Sequence, residues 1–127
     1  MFILGDTHGN FTYLRYLINT IGKKGPIIQV GDFGMNNNVN PMEALLYGLN
    51  KLLGEIGTKL YVIRGNHDNP YFWQGNHIYE NIQLLPDYTI KEVEGKRVLF
   101  VGGATSINRK VNANYWADEK FVYDKDK

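Results

Sequence analysis

The chain has 127 residues, a formal net charge of +1 and no cysteine, and 43% of its residues are hydrophobic. This length favours a single domain over residues 1–127, and the missing cysteines exclude disulfides, thiolate metal sites and cysteine nucleophiles. The near-neutral charge argues against strong electrostatic binding of nucleic acid or membrane, and no apolar run approaches the roughly 20 residues of a spanning helix. With no signal-peptide pattern at the start, we expect a cytoplasmic protein.

The first half of the sequence alternates between short apolar runs and amphipathic segments. The apolar runs predict buried parallel strands at residues 2–4, 27–30 and 60–63. Apolar residues recur at helical spacing over 11–21 and 44–56, and Asn40-Pro41 predicts the N-cap and first position of the second helix. This alternation predicts an α/β fold with right-handed crossovers between parallel strands.

The second half carries different signals. Residues 82–85 predict one more strand. Residues 88–93 and 97–103 predict a β-hairpin that turns at Glu94-Gly95.

Polar residues follow each of the first three predicted strands. The pairs are Gly5-Asp6, Gly31-Asp32 and Gly65-Asn66, and two histidines, His8 and His67, lie close behind them. Ligands of open parallel sheets bind beyond the carboxyl ends of the strands, where all three clusters fall. We therefore expect one site built from the three strand ends.

The residue types in this site indicate metal chemistry. Two carboxylates, an amide oxygen and imidazoles suit manganese, iron, zinc or magnesium. One carboxylate can bridge two such ions about 3.5 to 4 Å apart, the arrangement used in phosphoester hydrolysis. The sequence has no nucleophile elbow and no phosphate-binding P-loop, so a metal-activated water is the expected nucleophile.

These motifs resemble the opening signature of the calcineurin-like metallophosphoesterases. Gly-Asp-x-His-Gly at 5–9, Gly-Asp at 31–32 and Gly-Asn-His-Asp at 65–68 follow one another in the family's order. Their spacing of roughly 30 residues matches one βαβ unit each. The resemblance implies a layered β-sheet core flanked by helices, and metal-dependent hydrolysis of phosphate mono- or diesters.

The resemblance also implies the metal ligands. Asp6 and His8 would hold a first ion, Asp32 would bridge both ions, and Asn66 would hold the second. The cofactors would be two divalent metal ions, manganese first, with iron, zinc or magnesium as alternatives.

Two further residues receive catalytic roles from the resemblance. His67 would contact the phosphate and protonate the leaving oxygen as a general acid. Asp68 would orient His67, although a turn or N-cap role for Asp68 is the competing interpretation. The expected partner is a phosphate-ester substrate. Nucleic acid is expected only as such a substrate, and no membrane partner is expected.

The sequence departs from the family after its first half. The family supplies a later histidine and a Gly-His-x-His loop, whereas this chain has only His8, His67 and His77. The resemblance, which continues loosely through 102–107 and 116–119, thus implies a domain that lacks the C-terminal part of its second sheet. Two alternatives stay open: a truncated, non-catalytic relative that binds metal, nucleotide or a protein partner, and a homo-oligomer or partner chain that completes the sheet and site.

Residues near the third motif have structural interpretations as well. His77 lies outside every motif and is predicted to be structural, with replacement of a metal ligand as the alternative. The aromatic run Tyr71-Phe72-Trp73 is expected to pack on the fold rather than stack on a nucleobase.

Overall fold

The computed structural model describes residues 1–35, 39–75 and 77–103, so the loosely similar segments at 104–107 and 116–119 lie outside the described residues. Within these ranges the chain forms six strands and two α-helices, with short 3-10 turns at Gly22–Lys24 and Pro70–Trp73. In chain order the elements are β1 (Phe2–Leu4), α1 (Phe11–Ile21), β2 (Ile27–Gln29), α2 (Val39–Ile56), β3 (Leu60–Val62), β4 (Ile82–Leu84), β5 (Thr89–Val93) and β6 (Lys96–Phe100).

Strands β1 to β4 form a parallel sheet in the order of the chain. Phe2 aligns with Ile27, Ile27 with Leu60 and Leu60 with Ile82, so the strands begin and end nearly level. Their carboxyl ends therefore meet at one edge, as the α/β prediction requires. The predicted α/β class, with a parallel sheet flanked by helices, is confirmed.

Helix α1 forms where the sequence supplies both a cap and an apolar stripe. The Asn10 side chain accepts a hydrogen bond from the Tyr13 backbone N–H at 3.1 Å, which satisfies one free donor of the first turn. Leu14 and Ile18 lie one turn apart on the buried face.

Helix α2 covers the same face of the sheet with a longer stripe. Its fully buried residues recur at helical spacing: Met42, Leu46, Leu49 and Leu53. Together with α1 and the inward residues of the strands, they make the larger hydrophobic core. Because the helix begins at Val39, the prediction that Asn40 caps it is wrong; Pro41 still lies in the first turn, where no backbone N–H is needed.

The opposite face of the sheet carries the antiparallel hairpin β5–β6. Glu94 and Gly95 both have positive φ, at 51° and 78°, as a two-residue type I′ turn requires, and the predicted turn is confirmed. A second, smaller core joins the two sheets through Ile28, Tyr61, Leu85, Val93 and Phe100.

Part of this face is exposed among the described residues. Ile3 of β1 is 73% exposed, and Val30, just beyond β2, is 42% exposed. The hairpin itself exposes the paired Ile90 and Leu99 on its outer side.

Candidate metal centre

The three polar clusters meet at the carboxyl edge of the parallel sheet. Asp6 and His8 follow β1, Asp32 follows β2, and Asn66 follows β3. Since these strands are neighbours in the sheet, their following loops are neighbours too. The sequence-based placement of the site at this edge agrees with the fold.

Asp6, His8 and Asp32 come together closely enough to hold one cation. His8 Nε2 lies 3.6 Å from Asp6 Oδ2 and 3.8 Å from Asp32 Oδ2. One donor atom from each residue lies within 4.8 Å of the other two. Two carboxylate oxygens and an imidazole nitrogen fit a divalent ion of the manganese, iron, zinc or magnesium type.

The three candidate ligands differ in exposure. The side chains of Asp6 and His8 are more than half exposed, whereas that of Asp32 is only 11% exposed. The two oxygens of Asp32 also face different loops, because Oδ2 lies toward His8 and Oδ1 accepts the His67 backbone N–H at 3.0 Å. Asp32 thus stands between the loop after β1 and the loop after β3.

The backbone at these ligands is held in unusual conformations. His8 and Asp32 have positive φ, at 45° and 49°, a region that costs most non-glycine residues free energy. Two hydrogen bonds hold them there: the N–H of His8 donates to the Asp32 carbonyl at 2.8 Å, and that of Gly9 donates to the Phe33 carbonyl at 3.0 Å. Such strain persists where surrounding structure fixes it, and at ligand sites it is common.

Gly65 allows the third loop to approach the second. A Cβ on Gly65 would overlap the backbone nitrogen and the carboxylate of Asp32. The neighbouring Gly31 is less crowded, but a Cβ there would still stand only 3.0 Å from the Gly65 Cα. The glycines that precede Asp32 and Asn66 therefore permit the contact between these two loops.

Asn66 lines a cleft shared with Asp6 and Asp32. The cleft has a volume of about 300 Å³, and its far wall is formed by Gly102 and Gly103, just beyond β6. The predicted second-ion ligand thus opens on the same space as two of the residues predicted to hold the first ion.

His67 lies at the rim of this centre with an exposed side chain. Its ring centroid is 5.9 Å from that of His8, and the two rings are tilted by 57°. An imidazole in this position can reach a group bound between the loops.

Asp68 lies behind the centre and is fully buried. Its carboxylate accepts four hydrogen bonds, all from backbone N–H groups, and within the described residues none comes from the His67 side chain. Burial raises the pKa of the Asp68 carboxyl, and the four backbone hydrogen bonds act against that rise.

Gln29 is a supporting residue that the sequence analysis missed. It is fully buried at the end of β2, and its amide nitrogen donates to the Gly31 carbonyl at 2.7 Å and the Gly5 carbonyl at 3.2 Å. Its amide oxygen accepts the Gly31 N–H at 2.9 Å. A glutamine inside the apolar run at 27–30 was the available signal, since a buried polar side chain needs partners.

Arg64 and Asp87 are two further supporting residues that were missed. The Asp87 carboxylate accepts the Gly102 N–H at 2.9 Å and lies 3.9 Å from the Arg64 guanidinium, while the Gly103 N–H donates to the Arg64 carbonyl at 2.8 Å. These contacts hold the segment after β6 against the cleft. No local pattern around Asp87 predicts them.

His77 lies apart from the cation-holding group. Its ring packs 4.7 Å from Phe72 and 5.1 Å from Tyr71, and its Nε2 is 3.4 Å from Glu43 Oε1. Phe72 is itself 1% exposed, so its side chain packs in the core.

The calcineurin-like phosphoesterase family model matches residues 1–126 of the chain. With the fold and the Asp6–His8–Asp32 group, this match shows that the chain belongs to the calcineurin-like phosphoesterases, a family of phosphoester hydrolases. No curated protein matches the chain. Among the described residues no helix is long and apolar enough to cross a membrane.

Proposed function

We propose that this protein hydrolyses phosphate mono- or diesters at a centre of two divalent metal ions, with manganese as the ion used. The observation that carries the proposal is the group of Asp6, His8 and Asp32, whose donor atoms lie within 4.8 Å of one another in a chain of this family. In this proposal Asp6 and His8 hold the first ion, Asp32 contacts both ions, and Asn66 contributes to the second.

The position of Asp32 supports its role between two ions. One oxygen lies 3.8 Å from His8 Nε2, and the other accepts the His67 backbone N–H in the loop of Asn66. A carboxylate fixed in this way presents its oxygens to two neighbouring positions without rotating. Ions bound there would neutralise the charge of a phosphate and generate a nucleophile from water at neutral pH.

The exposure of His67 supports its role as the proton donor. His67 is exposed, its ring centroid lies 5.9 Å from that of His8, and its backbone N–H donates to Asp32, so the ring is carried by an anchored segment. We assign His67 the proton that the leaving oxygen takes up as the ester bond breaks. The 300 Å³ cleft is large enough for a phosphate group and the first atoms of its ester.

The test is metal content and hydrolysis measured on one manganese-reconstituted sample. p-Nitrophenyl phosphate reports monoesterase activity, and bis-p-nitrophenyl phosphate reports diesterase activity. We expect Asp32→Asn to lower turnover at least ~100-fold while the far-ultraviolet circular dichroism stays unchanged. Glu55→Gln, which changes an exposed acid on α2, is the matched control and keeps full turnover. Unchanged turnover in Asp32→Asn would refute the proposal.

A second candidate function is metal, nucleotide or partner binding without turnover. The sequence observation that favours it is the absence of any histidine after His77, which leaves only Asp32 and Asn66 for the second ion from the motifs present. Two ions bound tightly per chain argue against this candidate. One ion bound, with no hydrolysis of either substrate, argues for it.

In an extension of the first proposal, a second copy of the protein or another chain completes the site. Ile3 and Val30 expose apolar surface on the sheet face opposite the helices, where another sheet edge can pack. Light scattering during the activity assay tests this idea, because a strictly monomeric and fully active protein contradicts it.

We further propose a cytoplasmic location and, where the substrate is nucleic acid, recognition through its phosphate at the metal centre. A cysteine-free chain has no disulfide that an oxidising compartment would form. Cell fractionation tests the location, and recovery of the protein with the membrane or periplasmic fraction would contradict it.

A further inference from the structure

The carboxylate of Asp68 fills a ring of four backbone N–H groups. Oδ1 accepts from Gly34 at 2.9 Å and Met35 at 3.1 Å, and Oδ2 accepts from Gly65 at 2.9 Å and Phe33 at 3.1 Å. The residue has no exposed surface. This ring belongs to two loops that are about 30 residues apart in the sequence.

The two loops are those that carry the proposed ligands of the second ion. Phe33 directly follows Asp32, and Gly65 directly precedes Asn66. A further backbone bond joins the same loops, from the Asn69 N–H to the Met35 carbonyl at 2.9 Å. The Asp68 side chain is therefore fixed to both ligand loops at once.

We propose that Asp68 is a positioning residue that locks the loop of Asp32 to the loop of Asn66 and so sets the separation of the second ion's ligands. The inference rests on the proposed function for the identity of that ion. It differs from the role expected from the sequence, because Asp68 acts on the ligand loops and not by a direct bond to the His67 imidazole.

The chemistry of the ring selects an aspartate. Four N–H donors converge on two oxygens, and an ionised carboxylate offers acceptors only. In Asp68→Asn an amide NH₂ would face two N–H donors, so at most one oxygen still accepts. In Asp68→Ala all four donors would be left buried without a partner, which is the more damaging change.

The experiment compares wild type, Asp68→Asn, Asp68→Ala and the control Asn50→Ala. The control removes a different, part-buried anchor, since Asn50 Oδ1 accepts the Asn81 N–H at 2.8 Å just before β4, away from the carboxyl edge. Amide hydrogen exchange is followed by NMR on metal-free protein, and manganese binding is titrated by calorimetry and by electron paramagnetic resonance.

In the metal-free variants we expect the amides of Phe33, Gly34, Met35 and Gly65 to exchange at least ~10-fold faster, with the larger change in Asp68→Ala. Amides of the buried faces of α1 and α2 keep their wild-type rates. The second manganese ion binds about 10- to 100-fold more weakly, and the first is affected less. Asn50→Ala does not selectively raise the exchange rates of the four amides, and it leaves the manganese titration unchanged.

Two results would overturn the proposal. One is a uniform rise in exchange over the whole chain, which would make Asp68 an ordinary stabilising residue. The other is selective loosening of the four amides while the second ion binds as tightly as in wild type. Failure of the proposed function is separate: wild type would then bind no second ion and hydrolyse neither ester, and the exchange pattern of the four amides alone would decide whether Asp68 locks the loops.

Discussion

The helical layer and the carboxyl edge of the parallel sheet are stabilised by different means. In the layer of α1 and α2, Leu14, Ile18, Leu46, Leu49 and Leu53 have no exposed surface and pack through non-directional apolar contacts. At the carboxyl edge, the buried groups are polar and bind one another through hydrogen bonds of defined geometry. The helical layer therefore provides most of the apolar stabilisation, while the hydrogen bonds at the carboxyl edge fix the positions of the loops that carry the candidate ligands.

The largest expected effect on stability comes from a substitution in the helical layer alone. Leu53→Ala removes a fully buried side chain from α2 and should lower the free energy of unfolding by about 2–5 kcal/mol. The manganese stoichiometry of the folded protein should stay the same, because no metal-site residue is touched. Urea unfolding and a metal titration measure the two quantities. A lost ion in folded Leu53→Ala would show that the two regions are not independent.

A smaller loss of stability, with a larger loss of metal, is expected from Gly65→Ala. The added Cβ overlaps Asp32, so the loops must separate, at a cost of about 1–3 kcal/mol in the free energy of unfolding. Manganese affinity should fall at least ~10-fold, as expected when a residue that orients a ligand is changed. Gly5→Ala is the matched control on the same edge, since its Cβ meets no atom within 4 Å. Equal behaviour of the two variants would contradict the crowding argument.

The pH dependence of metal binding sharpens the comparison further. A histidine ligates a metal only when its imidazole is neutral, so protons compete with the metal for the ring nitrogen. Manganese affinity should therefore fall as the pH is lowered, by up to about 10-fold per pH unit for one proton. The dependence should flatten in His8→Asn and persist in His77→Asn, whose ring packs against Phe72 away from the cation-holding group. The same slope in all three proteins would exclude His8 as a ligand.

The smallest expected effect concerns the hairpin. The N-terminal ammonium of Met1 lies 2.8 Å from Glu94 Oε2, but the Glu94 side chain is 43% exposed, so solvent screens the pair. Glu94→Gln should lower the free energy of unfolding by less than about 1 kcal/mol, and 1 M salt should reduce the difference. Glu92→Gln, an exposed neighbour, is the control. A loss above 2 kcal/mol would mean that the hairpin turn has a larger role in stability.

Local sequence signals were sufficient for most of the fold. Apolar runs placed the strands of the parallel sheet, helical spacing placed α1 and the body of α2, and Glu94-Gly95 placed the hairpin turn. The start of α2 was misplaced, because the Asn40-Pro41 pattern suits a first turn as well as a cap.

The meeting of the candidate ligands was predictable from the sequence, but the residues that hold their loops were not. Asp6, His8 and Asp32 follow strands, and the parallel topology brings strand ends together, so local motifs were enough to place them. The partners of Asp68 could not be predicted in this way. Three of them lie in a loop more than 30 residues earlier, and only the folded chain brings that loop to the carboxylate. The contact between Asp87 and Gly102 could not be predicted for the same reason.

The order of strands in the parallel sheet has a consequence for synthesis on the ribosome. Each of β2, β3 and β4 pairs with the strand made immediately before it, so the sheet can grow outward as the chain emerges. Asp6, His8 and Asp32 are thus synthesised before β3. Asn66 and the Asp68 carboxylate, which accepts backbone N–H groups from the loop of Asp32, are made only after β3. The residues that fix the carboxyl edge are therefore all present only after three strands have been synthesised.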